Sequence, residues 1–511
     1  MYYTMKDLKK LVDSLSGAEK RYFVIASRAF LTDGQYPNYL KLFDQLKNGV
    51  SQTPEPESQL SDRVQTSAKR QLFENIMGSL RDFHKDRSID TMIQNWLGEV
   101  ELLYQLGLAD QSLLPLGKAY KLAGDHEKFG LLLQVLDWER RLNIVLATTT
   151  RPSVEIQKEQ RVILEKLQQV LDLESLYSRA KELKKNNGYV KGLLKKGLKK
   201  ETVGSSLLPA LADCRSKKAR YYYHFIHALY YWMISDHPSA FNHSQELLSA
   251  EIQIVLPDDY MDGILEHVTS CVCIGKFDAA LNGLKISEAY ASQQKLGLSH
   301  SLRLKLFYYR ICYQMIIYNY SGKKSRLQAV VKEAEAGLLE FKEQLPPEYL
   351  LVITGNLMNA YLGLGNMKRV SELWDFLFHK QHQSTRRDIY DDLYLFRLFL
   401  ILQNRTYAVL PSMALSAFRY FKSRKAGFAL EMDIATLLMK KQDFGKAELV
   451  REVLEEIKRL LELYLAKLKA AGSFQEHYTL YLIWVTSLLN DRPFHELAAK
   501  WHQDWEKGER N

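Results

Sequence analysis

Apolar residues along this chain recur at helical rather than strand spacing. Leu72, Phe73, Ile76, Met77, Leu80 and Phe83 follow an i, i+1, i+4, i+5, i+8 pattern, which puts them on one face of a helix over 66–84. Upstream, Ser14 or Ser16 can cap a helix over 18–30, and Pro37 opens another over 38–47. Residues 48–64 (NGVSQTPEPESQLSDRV) are polar, carry two prolines and have no period, which predicts an exposed loop. Further on, the pattern predicts a long charged helix over 154–185, then helices over 217–234 and 239–254, with prolines at 209, 238 and 257 as separators.

From about residue 88 the apolar helices come in pairs, because a similar turn keeps following them. It reads IGKFDAA at 274–280, LGNMKRV at 364–370 and KQDFGKA at 441–447, with weaker versions at 403–408 (QNRTYA) and 490–495 (NDRPFH). Two antiparallel helices joined by a short turn need a large side chain to plug the corner and a small one where their backbones approach. Gly275, Phe277, Ala280, Gly365, Met367, Phe444 and Ala447 are the residues expected to do this packing. One more turn near Ser321-Gly322-Lys323 brings the intervals to about 40–50 residues, the spacing of stacked helix pairs.

With these turns in view, the sequence resembles the tetratricopeptide-repeat superfamily in a degenerate, long-unit form. The stretch 356–365 (NLMNAYLGLG) with Met367 and Val370 is the nearest match, followed by Gly275, Phe277 and Ala280. The units exceed the family's usual length of about 34 residues. They also lack its Trp early in the first helix and its Pro at the end of the unit. The resemblance implies an all-α fold, an α-solenoid of stacked antiparallel helix pairs with a small helical N-terminal region. The segment 15–23 (LSGAEKRYF) is also similar to the start of a group of large, helical, uncharacterised bacterial proteins, a similarity that implies no activity. The expected organisation is a helical region over 1–85, first helix pairs and the long charged helix over 86–186, a basic Gly/Lys-rich linker or loop over 187–206, and repeats over 207–511.

Composition agrees with helix. Over 511 residues there are only 12 Pro and 26 Gly, too few breakers for a many-stranded sandwich. With 46% hydrophobic and 25% charged residues, a mostly disordered chain is excluded. The net charge of +10 is concentrated: residues 179–200 hold nine Lys and Arg against Glu182 alone. Within them Lys191, Lys195, Lys196, Lys199 and Lys200 are the candidates for polyanion contact. The four cysteines, Cys214, Cys271, Cys273 and Cys312, lie in apolar helical stretches and read as plain thiols. The first residues carry charges and no apolar leader, and no window approaches about 18 uninterrupted apolar residues. A cytoplasmic protein with no membrane span is expected.

Motifs of catalysis are missing from the sequence. There is no GxxxxGK[ST], GxSxG, HExxH or CxxC pair, and the GxG at 363–365 follows a helix rather than a strand. Two histidine pairs, His224 with His227 and His379 with His382, sit at helical spacing, and Asp375 joins the second; solvated faces account for both. Asp258, Asp259 and Asp262, and likewise Asp388, Asp391 and Asp392, suit the positive ends of helices. No catalytic residue, cofactor or metal is therefore expected.

Tyrosines are the remaining feature. Tyr221, Tyr222, Tyr230 and Tyr231 crowd one helix and Tyr308, Tyr309 and Tyr313 another; these seven are the candidate partner-binding residues, because tyrosine offers large contact area at low entropic cost. The expected function is a non-catalytic scaffold that binds a protein or peptide. The alternative is a nucleic-acid-associated regulator whose N-terminal head contacts phosphates through Lys6, Lys9, Lys10, Lys20, Arg21 and Arg28.

Overall fold

The structure, a computed structural model, describes residues 4–29, 36–48, 62–86, 88–146, 151–192, 194–249, 251, 253–293, 300–341, 344–379, 386–424, 427–440, 444, 446–470 and 476–509. Most of the loop expected at 48–64 lies outside them. Every regular element among the described residues is helical, and consecutive helices pack as pairs. The chain divides into two compact units, Met1–Leu164 and Glu165–Asn511.

The first unit begins with α1 (Met5–Ser14), α2 (Gly17–Arg28), α3 (Asn38–Asn48) and α4 (Asp62–Phe83). Thr4 and Ser16 cap α1 and α2, each paired reciprocally with an acidic residue three positions on, Asp7 and Glu19. Leu8, Val12, Phe23, Leu40, Phe43, Leu72 and Ile76 form the core of this four-helix cluster. Then follow α5 (Ile89–Gln105), α6 (Ala109–Asp125) and α7 (Phe129–Val145). The long charged helix is α8 (Ser153–Asn187), which belongs to the first unit up to Leu164 and to the second from Glu165.

In the second unit, α9 (Leu194–Glu201) precedes the pairs α10 (Lys217–Met233) and α11 (His237–Leu248), α12 (Pro257–Cys273) and α13 (Phe277–Ser292), α14 (His300–Tyr320) and α15 (Lys324–Phe341), α16 (Pro347–Leu364) and α17 (Met367–His379), and α18 (Arg387–Gln403) and α19 (Leu410–Ser423). The helices α20 (Ala429–Met439), α21 (Ala447–Ala470), α22 (Glu476–Asn490) and α23 (Phe494–Glu509) complete it. The helix read over 239–254 is shorter and begins earlier: Asp236 caps it by accepting from the Ser239 N–H, and Pro238 sits in its first turn.

The corners repeat at the level of the backbone. In α12–α13, Gly275 holds φ +81° and the Lys276 N–H bonds back to the Cys271 carbonyl at 2.9 Å. The same six-to-one bond runs from Lys323 to Tyr318 and from Asn366 to Tyr361, both at 2.9 Å, with Gly322 and Gly365 at positive φ. It recurs without glycine, with Glu127, Ser235, Arg405 and Asp491 as the left-handed residue. From 235 the left-handed residues fall at 275, 322, 365 and 405, an interval of about 40–47 residues. Phe277 and Ala280 are buried beside their corner and Phe444 is buried too, whereas Met367 is half-buried and Ala447 exposed.

The final helix, α23, packs on α14 and α16 and reaches the corner of α12–α13. A Cβ on Gly275 would lie 2.4 Å from the Trp505 ring nitrogen, and one on Gly322 would lie 2.4 Å from the His495 carbonyl oxygen. Both glycines are thus required twice, for their backbone angle and for close approach.

Candidate functional site

The second unit holds a cavity, partly open to solvent, of about 630 Å³, within the range of about 300–1,000 Å³ usual for ligand pockets. Its walls come chiefly from the first helix of each successive pair, α10, α12, α14, α16 and α18, together with the end of α8 and the segment after it, and are completed by Leu377 of α17, Arg424, Phe428, Glu431 of α20, and His477 and Tyr478 of α22. A side chain on such a helix faces the cavity when it lies opposite the stripe that packs on the second helix. Hence Thr269 and Cys273 of α12, Tyr309 and Tyr313 of α14, and Val352, Asn356 and Asn359 of α16 appear at helical spacing along the wall.

Three candidate tyrosines, Tyr308, Tyr309 and Tyr313, line this cavity. Tyr308 stacks on Tyr349 of the next pair with ring centroids 3.9 Å apart and planes 7° apart, and the Tyr313 hydroxyl lies 2.6 Å from Thr269 Oγ1. Burial first, and then neighbouring phenols, hold the hydroxyls of Tyr309 and Tyr313 far above their ordinary pKa, so the rings stay neutral. The other four go elsewhere. Tyr221 donates to the Asp259 carbonyl at 2.6 Å and Tyr222 to the Asp259 carboxylate at 2.7 Å. Tyr230 is buried, and Tyr231 stacks on His243.

The basic segment also divides. Lys191 lines the cavity, with Nζ 3.0 Å from Glu431 Oε1, 3.0 Å from the Tyr478 hydroxyl and 4.4 Å from the Phe428 ring centre. Lys195 donates to the Ile234 carbonyl at 2.9 Å. Lys196, Lys199 and Lys200 are exposed on α9. The segment before α9 is built into the wall. The Val190 N–H bonds the Met233 carbonyl at 2.7 Å, and the Arg386 N–H bonds the Asn186 carbonyl at 3.0 Å. At Gly188, φ +62°, a Cβ would lie 2.2 Å from Asp388.

Charge in the cavity is high and paired. Lys181 and Lys305 share Asp262, at 2.6 and 2.5 Å; Lys184 meets Glu266 at 2.6 Å and Lys185 meets Glu348 at 2.9 Å. Arg386 forks onto Asp388, Arg424 approaches Asp391 at 3.0 Å, and His477 lies 3.0 Å from Asp392. Asp262 and Asp391 therefore meet Lys181, Lys305 and Arg424 from other parts of the fold, Asp392 meets His477, and Asp388 is held by Arg386 two residues before it, roles that helix-end electrostatics alone do not reveal. Glu266, Glu348 and Tyr349 are cavity residues without a motif in the sequence, and Asn356 and Asn359 fall in the repeat-like stretch 356–365 without being marked there as site residues.

Two acceptors in this wall, Glu266 Oε1 and Asn359 Oδ1, are buried without a hydrogen-bond partner. An unpartnered buried acceptor costs about 1–3 kcal/mol. Gly355, in the middle of α16, adds a second anomaly: a Cβ there would meet nothing within 4 Å. Glycine in a helix costs about 1 kcal/mol relative to alanine, and its effect here is to widen the cavity.

Other candidate residues stay outside this site. His224 and His227 meet a third histidine, His243, whose Nδ1 is 3.0 Å from His224 Nδ1. Asp375 and His379 are exposed, and His382 lies outside the described residues. Among the described residues no group of three or more His, Cys, Asp or Glu is placed to hold a metal ion. The four cysteines are buried, and burial pushes the Cys271 thiol up to about 12. No described helix is long and apolar enough to cross a membrane. No protein-family model matches the chain, and no curated protein is significantly similar to it.

Proposed function

We propose that this chain is a non-catalytic binding protein of the cytoplasm, a tetratricopeptide-like solenoid whose first helices receive a short peptide or a segment of a partner protein. The observation that carries this reading is the cavity of about 630 Å³ lined chiefly by the first helices of five successive pairs. Its lining suits a peptide. Asn356 and Asn359 present side-chain amides that both donate and accept, as a peptide unit does. Tyr308, Tyr309 and Tyr349 offer broad apolar rings with polar tips. Gly355 forgoes helix stability for space.

The test uses the full chain and a pool of capped tetrapeptides, with retained peptides read by mass spectrometry. Wild-type protein retains a subset, and Gly355→Trp, which fills the cavity from an open position, loses it while its circular dichroism is unchanged. Retention that survives Gly355→Trp would sink the reading. A parallel arm with duplex DNA serves the alternative: binding that weakens steeply with salt and on neutralising Lys196, Lys199 and Lys200 would favour nucleic acid instead.

A further inference from the structure

Asp262 and Glu266 are one turn apart on α12 and meet the same two neighbouring helices. Asp262 is saturated: Lys181 of α8 reaches Oδ2 at 2.6 Å and Lys305 of α14 reaches Oδ1 at 2.5 Å, one ammonium for each oxygen. Glu266 has half of this arrangement. Lys184 of α8 reaches Oε2 at 2.6 Å, and Oε1 has no partner although the residue is only 3% exposed. On α14 the residue one turn after Lys305 is Tyr309, so an aromatic ring stands where the pattern would bring the second ammonium. The charge of Glu266 is felt at the hydroxyls of both Tyr309 and Tyr313, and all three residues line the cavity.

We propose that the ligand completes this pattern: a primary ammonium or guanidinium group enters the cavity, donates to Glu266 Oε1 and lies against the rings of Tyr309 and Tyr313. A carboxylate oxygen buried without a donor is best satisfied by a charged donor. Neutral phenol rings beside it attract a cation through their faces. The site therefore selects a basic group, and a neutral group of equal length leaves Oε1 unpartnered. This inference rests on the peptide-binding reading for its most direct source of such a group, a lysine or arginine side chain; a free amine is the other source.

The experiment presents the full chain with capped tetrapeptides that differ at one position among lysine, arginine, norleucine and glutamate, and separately with putrescine. In the wild type, lysine and arginine peptides are retained about tenfold or more over norleucine, the scale of a hydrogen bond to a charged group. Glu266→Gln brings that ratio close to one. Tyr309→Lys does the same by supplying the second ammonium from within, and Tyr309→Phe, which keeps the ring, leaves the preference in place. Thermal melts establish that each variant is folded. Peptides retained without preference for a basic residue, or a preference that survives Glu266→Gln, would overturn this inference and leave the peptide reading standing. Putrescine bound through Glu266 with no peptide retained would support the cation site and overturn the peptide reading. Retention of neither would overturn both.

Discussion

Lys191 and Glu431 meet at 3.0 Å across 240 residues of chain, and the Tyr478 hydroxyl closes the triangle at 3.0 Å from the amine and 2.6 Å from the carboxylate. Glu431 is 4% exposed. Its charge is tolerated there because an ammonium and a phenol both face it. Removing one partner of a buried ion pair costs several kcal/mol, reduced here because the Lys191 side chain is one-third exposed. Lys191→Met is expected to destabilise the second unit by about 2–3 kcal/mol. Adding Glu431→Gln should recover most of that loss. Urea unfolding of the two single variants and the double variant closes the cycle; strict additivity would show that the pair is not coupled.

Gly275 and Gly365 hold the same left-handed corner but differ in what surrounds them. A Cβ at 365 meets nothing within 4 Å, whereas one at 275 would collide with Trp505. Gly365→Ala therefore bears only the backbone penalty, about 1–2 kcal/mol. Gly275→Ala bears that and the displacement of α23, and its loss of stability is expected to exceed that of Gly365→Ala by at least about 1 kcal/mol. Chemical denaturation of the two variants side by side checks the difference; equal losses would mean that α23 yields without cost.

Acid should weaken the fold through its buried histidines. Burial lowers His237 to about 4, against a small opposing pull from Asp236, and burial followed by His227 and His224 lowers His243 to about 4. His224 and His227 are lowered as well, the first in spite of Glu246. Below the ordinary value of 6.5 the unfolded chain binds protons that the native one refuses, so stability is complete above about pH 6.5 and falls as pH drops toward 4. The urea midpoint should decrease from pH 7 to pH 5, and His237→Gln with His243→Gln should flatten that slope. An unchanged slope in the double variant would assign the acid sensitivity to other groups.

Gly355→Ala should stabilise the chain by about 0.5–1 kcal/mol, since α16 gains a helix former at an open position. A rise in melting temperature tests it. A fall would mean that the helix is bent there by forces other than its side chains.

The helix pairs were legible because their corners carry glycine and a large apolar plug at 275–277 and 365–367. The corners at 127 and 235 were not, since Glu127 and Ser235 adopt the left-handed angle without glycine and the geometry is held by main-chain bonds such as Asp236 N–H to the Tyr231 carbonyl at 2.9 Å. The tyrosines show where periodicity stops being informative. Tyr222 and Tyr309 sit in similar aromatic runs, yet one is tied to Asp259 and the other faces a cavity, because helical spacing defines a face without saying what covers it. Likewise the lysines at 181, 184, 185 and 191 read only as part of a concentrated basic run, whereas their carboxylate partners lie about 80 to 240 residues further along the chain.

A plain stack of helix pairs can assemble progressively, each pair docking on its neighbour as it leaves the ribosome. The crossing of α23 over the corners at Gly275 and Gly322 breaks that order of assembly. The second and third pairs are synthesised early, yet the surface at those corners stays uncovered until residues 494–509 exist. For that interval, roughly 10–50 seconds at ordinary elongation rates, the nascent chain presents two bare corners to the cell, and the second and third pairs mature only once α23 has been made.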